Sequence, residues 1–593
     1  MKIYYKNKNA EKLLIGLNAL ISAAVAASFV LLYGFDKLLL PINVLYGVQV
    51  FALCFFVAEK PLRGLNAVSV RDFLIANWFE IPLLVALVVT TIGAGRWFAK
   101  ANLDQVRLVA IDVYLVIEVI SKVCRSCVNL AATGKNPTQT LIASFLILIF
   151  AGAGMLKLPK SASNEPLSFV DALFTATSAT CVTGLIVKNT GKDFSLMGQL
   201  VILTLIQLGG LGIVIFGAVF ALLLGQALSL RESAAMQDLL SARTLGQIAT
   251  IIGFIFAATI CIEAIGAVSM FHMWTMVPGR VSNLSQQWFF SIFHSISAFC
   301  NAGFCLASDS LIGYNKSWEV YGIVCPLIIL GGLGFGVLYN LFSVALDRIK
   351  RFIKKLCNPQ KTASMQTPER VQLQTKIVLT VSFVLILAGA AAIRLFENVT
   401  GSAGQENNSI AAAFFQSITA RTAGFNTIDI SSMSVSSKVI LIILMFIGGS
   451  PGSTAGGIKT VTFAVVVMAA YATLRKRNEV ELFKRSVRMV IVGRAITITL
   501  LFVVMLFGVS LALSITEQAG GFTMSDIIFE TGSALGTVGL STGITPSLTT
   551  AGKLLIIATM LIGRLGPLTL LASLAFNLKP ARYSYPEEAI VVG

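Results

Sequence analysis

The sequence predicts an all-α polytopic membrane protein, with four M1–P–M2 repeats (a span, a half-helix, a second span) around one pore and about four extra transmembrane helices before them. Three observations predict it. Of 593 residues, 56% are hydrophobic and 12% charged, with a mean hydropathy of +0.83. Apolar runs of about 20 residues, the length that crosses a bilayer, recur along the chain. A motif with Phe ten residues before Gly, and Leu or Phe directly after it, occurs four times: Phe174 to Gly184, Phe293 to Gly303, Phe414 to Gly424 and Phe529 to Gly539.

That composition excludes a soluble globular protein. The net charge of +17 is not a nucleic-acid footprint, because the basic residues sit in short breaks between apolar runs, as the positive-inside rule requires. Nine Cys are scattered through the chain. Cys124-x-x-Cys127 is a single pair, whereas a zinc site needs more ligands. Two His leave little room for histidine-based catalysis, and no enzymatic activity is expected.

Residues 1–137 form an N-terminal transmembrane extension. Residues 13–34 follow a basic start and read as a first span; a cleaved signal peptide has a shorter apolar core and a small-residue cleavage site. Further spans fall at about 38–58, 73–96 and 105–122. Lys60, Arg63 and Arg71 lie in one break and Lys122, Arg125 and Lys135 in another, so a cytoplasmic N-terminus puts both inside. The fourth span carries Arg107, Asp112, Glu118 and Lys122. It lacks the three-residue basic repeat of a voltage sensor, and charges paired within a helix bundle are the plain alternative. No role follows for this region.

Four repeats then occupy 138–246, 247–374, 375–489 and 490–593. Their motif glycines are 119, 121 and 115 residues apart (184 to 303, 303 to 424, 424 to 539). Each first span falls at about 139–158, 247–272, 375–396 or 490–514, and each second span at about 198–224, 320–344, 437–472 or 552–577. The segment between them is too short to cross. About 12 helical residues rise roughly 18 Å, against a hydrocarbon core of about 30 Å. It enters and turns back, and irregular backbone at that depth must be buried in protein or line a watery cavity.

The residues just before each Gly are small or polar: Val182 and Thr183, Asn301 and Ala302, Thr422 and Ala423, Thr537 and Val538. Gly accepts positive φ without steric cost, so successive carbonyls can face one side, and rings of carbonyls replace the hydration shell in potassium filters. Gly also serves close helix packing, so a single copy would say little; four copies at near-equal spacing say more. Val182-Thr183-Gly184, Asn301-Ala302-Gly303, Thr422-Ala423-Gly424 and Thr537-Val538-Gly539 are therefore the candidate potassium-binding filter.

A second repeated signal lies 25, 28, 24 and 24 residues beyond those glycines, at Gly209, Gly331, Gly448 and Gly563. Helix packing explains the first two. In the third repeat the run Gly448-Gly449-Ser450-Pro451-Gly452-Ser453-Thr454-Ala455-Gly456-Gly457 cannot hold a helix, and it is expected to unwind in mid-membrane and obstruct the path. Arg564 lies at the equivalent depth in the fourth repeat. A buried Arg needs a partner or water, which favours an electrostatic barrier facing the path.

With Asn301-Ala302-Gly303-Phe304, the Arg421-Thr422-Ala423-Gly424-Phe425-Asn426-Thr427 run, Gly536-Thr537-Val538-Gly539, the Gly-Ser-Pro-Gly-Ser loop and Gly563-Arg564, residues 138–593 resemble the Trk/Ktr/HKT potassium transporter superfamily. The resemblance implies the pore subunit of a TrkH/KtrB-like system in the cytoplasmic membrane: a homodimer with one pore per protomer, on a separate cytosolic nucleotide-binding regulatory subunit of RCK/KTN type. It implies filter glycines at Gly184, Gly303, Gly424 and Gly539, a gating loop at 448–457, and Arg564 near the gate. Family members with Ser in place of the first filter Gly favour sodium, so Gly184 implies potassium. The alternative is a sodium-coupled or sodium-permeable transporter of the same fold.

Residues 345–376 and 475–488 are strongly basic and read as cytoplasmic. The first is either a docking site for the regulatory chain or topology signal alone. The half-segments then enter from outside, beside acidic linkers such as Glu397 to Glu406. Asp171 and Glu530 either concentrate cations or favour helix N-termini. No dinucleotide fingerprint is present, and no nucleotide site is expected in this chain.

Overall fold

Without water to bond the backbone, an apolar run must satisfy its own N–H and C=O groups, so it folds as helix. The computed structural model bears this out over the residues it describes: 6–69, 80–97, 108–122, 137–212, 248–357, 368–400 and 409–568, apart from single positions within those ranges. Arg107, the Cys124–Cys127 pair, Arg125, Lys135, Lys361, Glu406 and the ends of the spans expected at 198–224 and 552–577 lie outside them.

The N-terminal helices are α1 (Lys8–Tyr33), α2 (Ile42–Asn66) and α3 (Glu80–Trp97), followed by a helical run over 110–119. Val25, Ala52, Phe56, Leu87, Tyr114 and Leu115 form their common core. Their charges pair among themselves. Lys122 reaches Glu59 at 3.0 Å and Glu118 at 3.6 Å, Lys60 reaches Glu118 at 3.2 Å, and Arg63 holds Glu59 at 2.9 Å and Glu11 at 3.3 Å. Asp112 accepts from the Tyr33 hydroxyl at 2.6 Å.

Four long helices recur further along: α4 (Pro137–Leu156), α7 (Ile248–Ser269), α11 (Leu373–Thr400) and α15 (Met489–Thr516). Each precedes a short one: α5 (Phe169–Thr180), α8 (Leu284–Phe299), α12 (Ile410–Thr419) and α16 (Met524–Gly536). After each short helix comes another apolar helix: α6 (Leu196–Leu211), α9 (Cys325–Leu333), α13 (Val435–Phe446) and α17 (Thr550–Leu565). Two more follow breaks, α10 (Phe335–Cys357) and α14 (Thr460–Leu474).

The second spans are not continuous, which corrects the expectation for three of them. α6, α9 and α17 end at Gly212, Gly334 and Gly566, with φ of 82°, 87° and 84°. Gly212 and Gly334 are each the third Gly of a Gly-Gly-x-Gly run and Gly566 closes a Gly-x-x-Gly run, and left-handed φ at that position stops a helix as a C-cap glycine does. Between α9 and α10 the axis turns by 102°. The fold also departs from all-α at one point. Val480–Leu482 (β1) and Arg485–Val487 (β2) form an antiparallel hairpin in the basic 475–488 stretch, with Val480 opposite Val487.

Candidate functional site

Three of the four short helices are capped by a side chain where they begin. Ser168, Ser409 and Thr523 accept from the backbone N–H three residues on, satisfying donors that the helix leaves free. They are sheathed in apolar contact: Phe174, Phe293, Phe415 and Phe529 are buried. Their last turns rest on small residues of the following helices. A Cβ on Gly209, Gly331 or Gly563 would collide with the carbonyl of Thr180, Phe299 or Leu535. Those glycines seat the short helices, which is the packing role expected of Gly209 and Gly331 and is shared by Gly563.

All four short helices end in the same backbone. Val182 and Gly184 have φ of 57° and 92°, Asn301 and Gly303 58° and 69°, Thr422 and Gly424 77° and 81°, Thr537 and Gly539 50° and 93°. Left-handed φ at β-branched Val182, Thr422 and Thr537 is a genuine outlier. Such strain persists where the surroundings over-determine it. Here they do: the N–H groups of Thr183, Ala302 and Val538 donate to Ser178, Ser297 and Ser533 carbonyls at 2.7 to 2.8 Å. The Ser178 and Ser533 hydroxyls accept from Gly184 and Gly539 N–H at 3.0 Å.

The four loops meet in a closed ring. A Cβ on Gly303 would sit 2.8 Å from the Ala423 carbonyl oxygen. Cβ atoms on Gly184, Gly424 and Gly539 would press closer still on the carbonyls of Ala302, Val538 and Thr183. Each glycine thus faces the next loop, and the fourth faces the first. The Thr183, Thr422 and Thr537 hydroxyls are buried here with no hydrogen-bond partner among the described residues. The short helices end at the ring, so their C-terminal ends, which carry partial negative charge, favour a cation there.

Arg421 turns away from the ring. Its guanidinium donates to the Ser382 hydroxyl of α11 at 3.1 Å. Glu530 is fully buried and accepts from the Thr545 hydroxyl. Asp171 pairs with Lys553 of α17 at 2.8 Å, lining a cavity of about 440 Å³ with Glu165, Lys188 and Asp193. Glu397 is buried too, and accepts from the N-cap Ser434 of α13. Of the three, only Asp171 borders open space, and it is already paired.

Below the ring, residues 448–457 are non-helical. The ends of this loop are neighbours: Ile447 bridges Ile458, and Gly448 N–H donates to the Ile458 carbonyl at 2.9 Å. The loop lies against α9. Ser450 donates from its N–H and its hydroxyl to the Gly332 carbonyl, both at 3.0 Å, and Thr454 donates to Gly331 at 3.1 Å. Arg564 donates to the Thr454 carbonyl of the loop and to the Gly209 carbonyl of α6. Segments from every repeat region therefore meet at one level.

Lys459 was not singled out by sequence reasoning. Its ammonium donates to the Ala455 carbonyl at 2.6 Å, so two cations flank the loop. The signal was available, as a lone Lys inside the apolar stretch from 439 to 474. Gly212, Gly334 and Gly566 were not singled out either, although the doubled Gly before the first two hinted at a break.

Five described helices are long and apolar enough to cross a membrane, six if the bent pair counts as one span. Together with a ring of loops and a cation-flanked break, they define a polytopic membrane transport protein. The family model described as TrkH, cation transport protein, matches residues 114–583. The chain is 40% identical over 463 residues to the Ktr system potassium uptake protein B of Bacillus subtilis, covering 77% of this chain and 97% of that protein. It is 36% identical over 464 residues to the potassium/sodium uptake protein NtpJ of Enterococcus hirae, with the same coverage. The crystal structure of the potassium transporter TrkH from Vibrio parahaemolyticus shares its fold, at a TM-score of 0.58 and 18% identity, over 86% of this chain and 97% of that one. The chain belongs to the TrkH family of cation transport proteins and is TrkH/KtrB-like.

Proposed function

We propose that this protein takes up potassium across the cytoplasmic membrane through the ring at Gly184, Gly303, Gly424 and Gly539. The observation that carries the proposal is the shared loop backbone, each glycine abutting the next loop's carbonyl. Four M1–P–M2 repeats, over 138–246, 247–374, 375–489 and 490–593, supply one filter loop each; residues 182–184, 301–303, 422–424 and 537–539 strip the ion's water and replace it with carbonyl and threonine oxygens. Residues 448–457 are the gate, and Arg564 with Lys459 raises an electrostatic barrier beneath the filter. The N-terminus is cytoplasmic. In keeping with the family resemblance, the chain acts as a homodimer with a separate cytosolic nucleotide-binding subunit.

The relative named for both potassium and sodium keeps one alternative, a sodium-permeable or sodium-coupled transporter of the same fold. Rubidium uptake into proteoliposomes holding the full chain separates the two. Block by potassium and not by sodium is expected. Equal block by both ions favours the alternative. No uptake by the wild type or by a variant lacking 448–457 sinks both.

A further inference from the structure

The described spans are apolar on most sides, but α10 is two-faced. Leu346, Ile349, Phe352, Ile353 and Leu356 fall at helical three- and four-residue spacing on one stripe. Ile349, Phe352, Ile353 and Leu356 are 52% to 68% exposed. Arg348, Lys350 and Lys355 are exposed off that stripe. The first half of α10 is anchored: Val337 and Val344 are buried, Asn340 accepts from the Gln372 N–H at 3.0 Å and the Thr375 hydroxyl at 2.9 Å, and Asp347 accepts from the Glu369 N–H at 3.2 Å. The 102° turn at Gly334 carries α10 away from the line of α9.

We propose that α10 is a membrane-surface helix that binds the anionic headgroups of the inner leaflet, its stripe in the acyl boundary and its cations at headgroup level. An amphipathic helix with basic residues beside an apolar face partitions in this way, and juxtamembrane basic clusters select anionic lipid. A second copy in two-fold contact would set like cations against each other, which disfavours self-association through this face. α10 also begins at the loop described above. Phe335 N–H donates to the Gly452 carbonyl at 3.0 Å, and a Cβ on Gly334 would stand 2.7 Å from the Pro451 carbonyl. On the reading of 448–457 as a gate, lipid held by α10 therefore bears on the gate directly.

The test uses the full chain carrying F352W in vesicles of equal phosphatidylcholine and phosphatidylglycerol, with brominated acyl chains on one lipid or the other. The wild type in the same vesicles subtracts the five native Trp. Both lipids are expected to quench position 352, brominated phosphatidylglycerol several-fold more strongly. The triple variant R348Q/K350Q/K355Q in the same background keeps the quenching and loses the preference. I349W, one turn earlier, takes over if F352W fails to fold. No quenching by either lipid means that protein covers the stripe, a second copy or a cytosolic partner, and overturns the proposal; equal quenching by both lipids overturns it as well. Quenching is independent of transport, so it stands or falls apart from the gating reading. Rubidium uptake that changes several-fold with phosphatidylglycerol content in the wild type, and not in the triple variant, tests the link to the gate; parallel responses reject that link.

Discussion

A side chain at position 184 has nowhere to go. It would press on the Ala302 carbonyl, and φ of 92° is one that residues other than Gly rarely adopt. Strain of about 1–3 kcal/mol falls on the ring itself, where each 1.4 kcal/mol is about tenfold in an equilibrium. Gly184→Ser is expected to lower the preference for potassium over sodium about tenfold or more, measured by competition against rubidium uptake; unchanged ion preference counts against the filter assignment. Arg564 invites the opposite result. It joins the Thr454 carbonyl of the loop to the Gly209 carbonyl of α6, and bonds from a charged donor contribute about 1.5–3 kcal/mol. Arg564→Gln is expected to raise uptake severalfold by freeing the loop, and a slower or unchanged rate contradicts a barrier at this residue. The identity of these residues was visible in the sequence, because Gly and buried Arg advertise their constraints. The orientation of Arg421, Glu530 and Glu397 was not. A charge near a loop reads the same whether it faces water or, like Glu397, caps a neighbouring helix.

Elements were legible where one physical rule decides them. The first spans follow from apolar length, and the unwound 448–457 run follows from Pro and five Gly in ten residues. The breaks at Gly212, Gly334 and Gly566 were not read, since one further Gly changes little in hydropathy. The hairpin over 480–487 had no signal at all: its turn places Phe483 and Lys484 at φ of 50° and 61°, where Asn-Gly would have announced it. Two outcomes test this scale. The loop's ends already bridge at Ile447 and Ile458, so its removal leaves α13 and α14 joined; deletion of 448–457 is expected to leave a folded protein with faster rubidium uptake, whereas an unchanged rate would mean the loop obstructs nothing. The Asp171–Lys553 pair ties α5 to α17 across the place where the ring closes. A thermal-unfolding cycle in detergent with Asp171→Asn and Lys553→Met is expected to give a coupling of about 1 kcal/mol, and additive effects would show the pair to be idle.

At the scale of the whole molecule, repetition made the ring readable. One Phe-x9-Gly is ordinary, but four at near-equal spacing constrain each other, and the four loops do take one backbone. The N-terminal bundle has no such echo, and its relation to the rest had to come from structure. The match to the Bacillus subtilis protein covers 97% of that protein and 77% of this chain, so the bundle lies largely beyond the shared part. Five of its described charged residues, Glu59, Glu118, Lys60, Arg63 and Lys122, pair within it. None of its described residues enters the ring or the loop beneath. One visible tie to the remainder is the Lys160 N–H donating to the Gly34 carbonyl at 3.2 Å. Units that keep their own core and share few contacts behave independently, so a chain starting at residue 137 is expected to hold potassium-inhibited rubidium uptake within about twofold of the full protein. Should uptake vanish while the shortened chain still elutes as a folded species, the bundle takes part in transport, and its buried charge cluster is where that part would be sought.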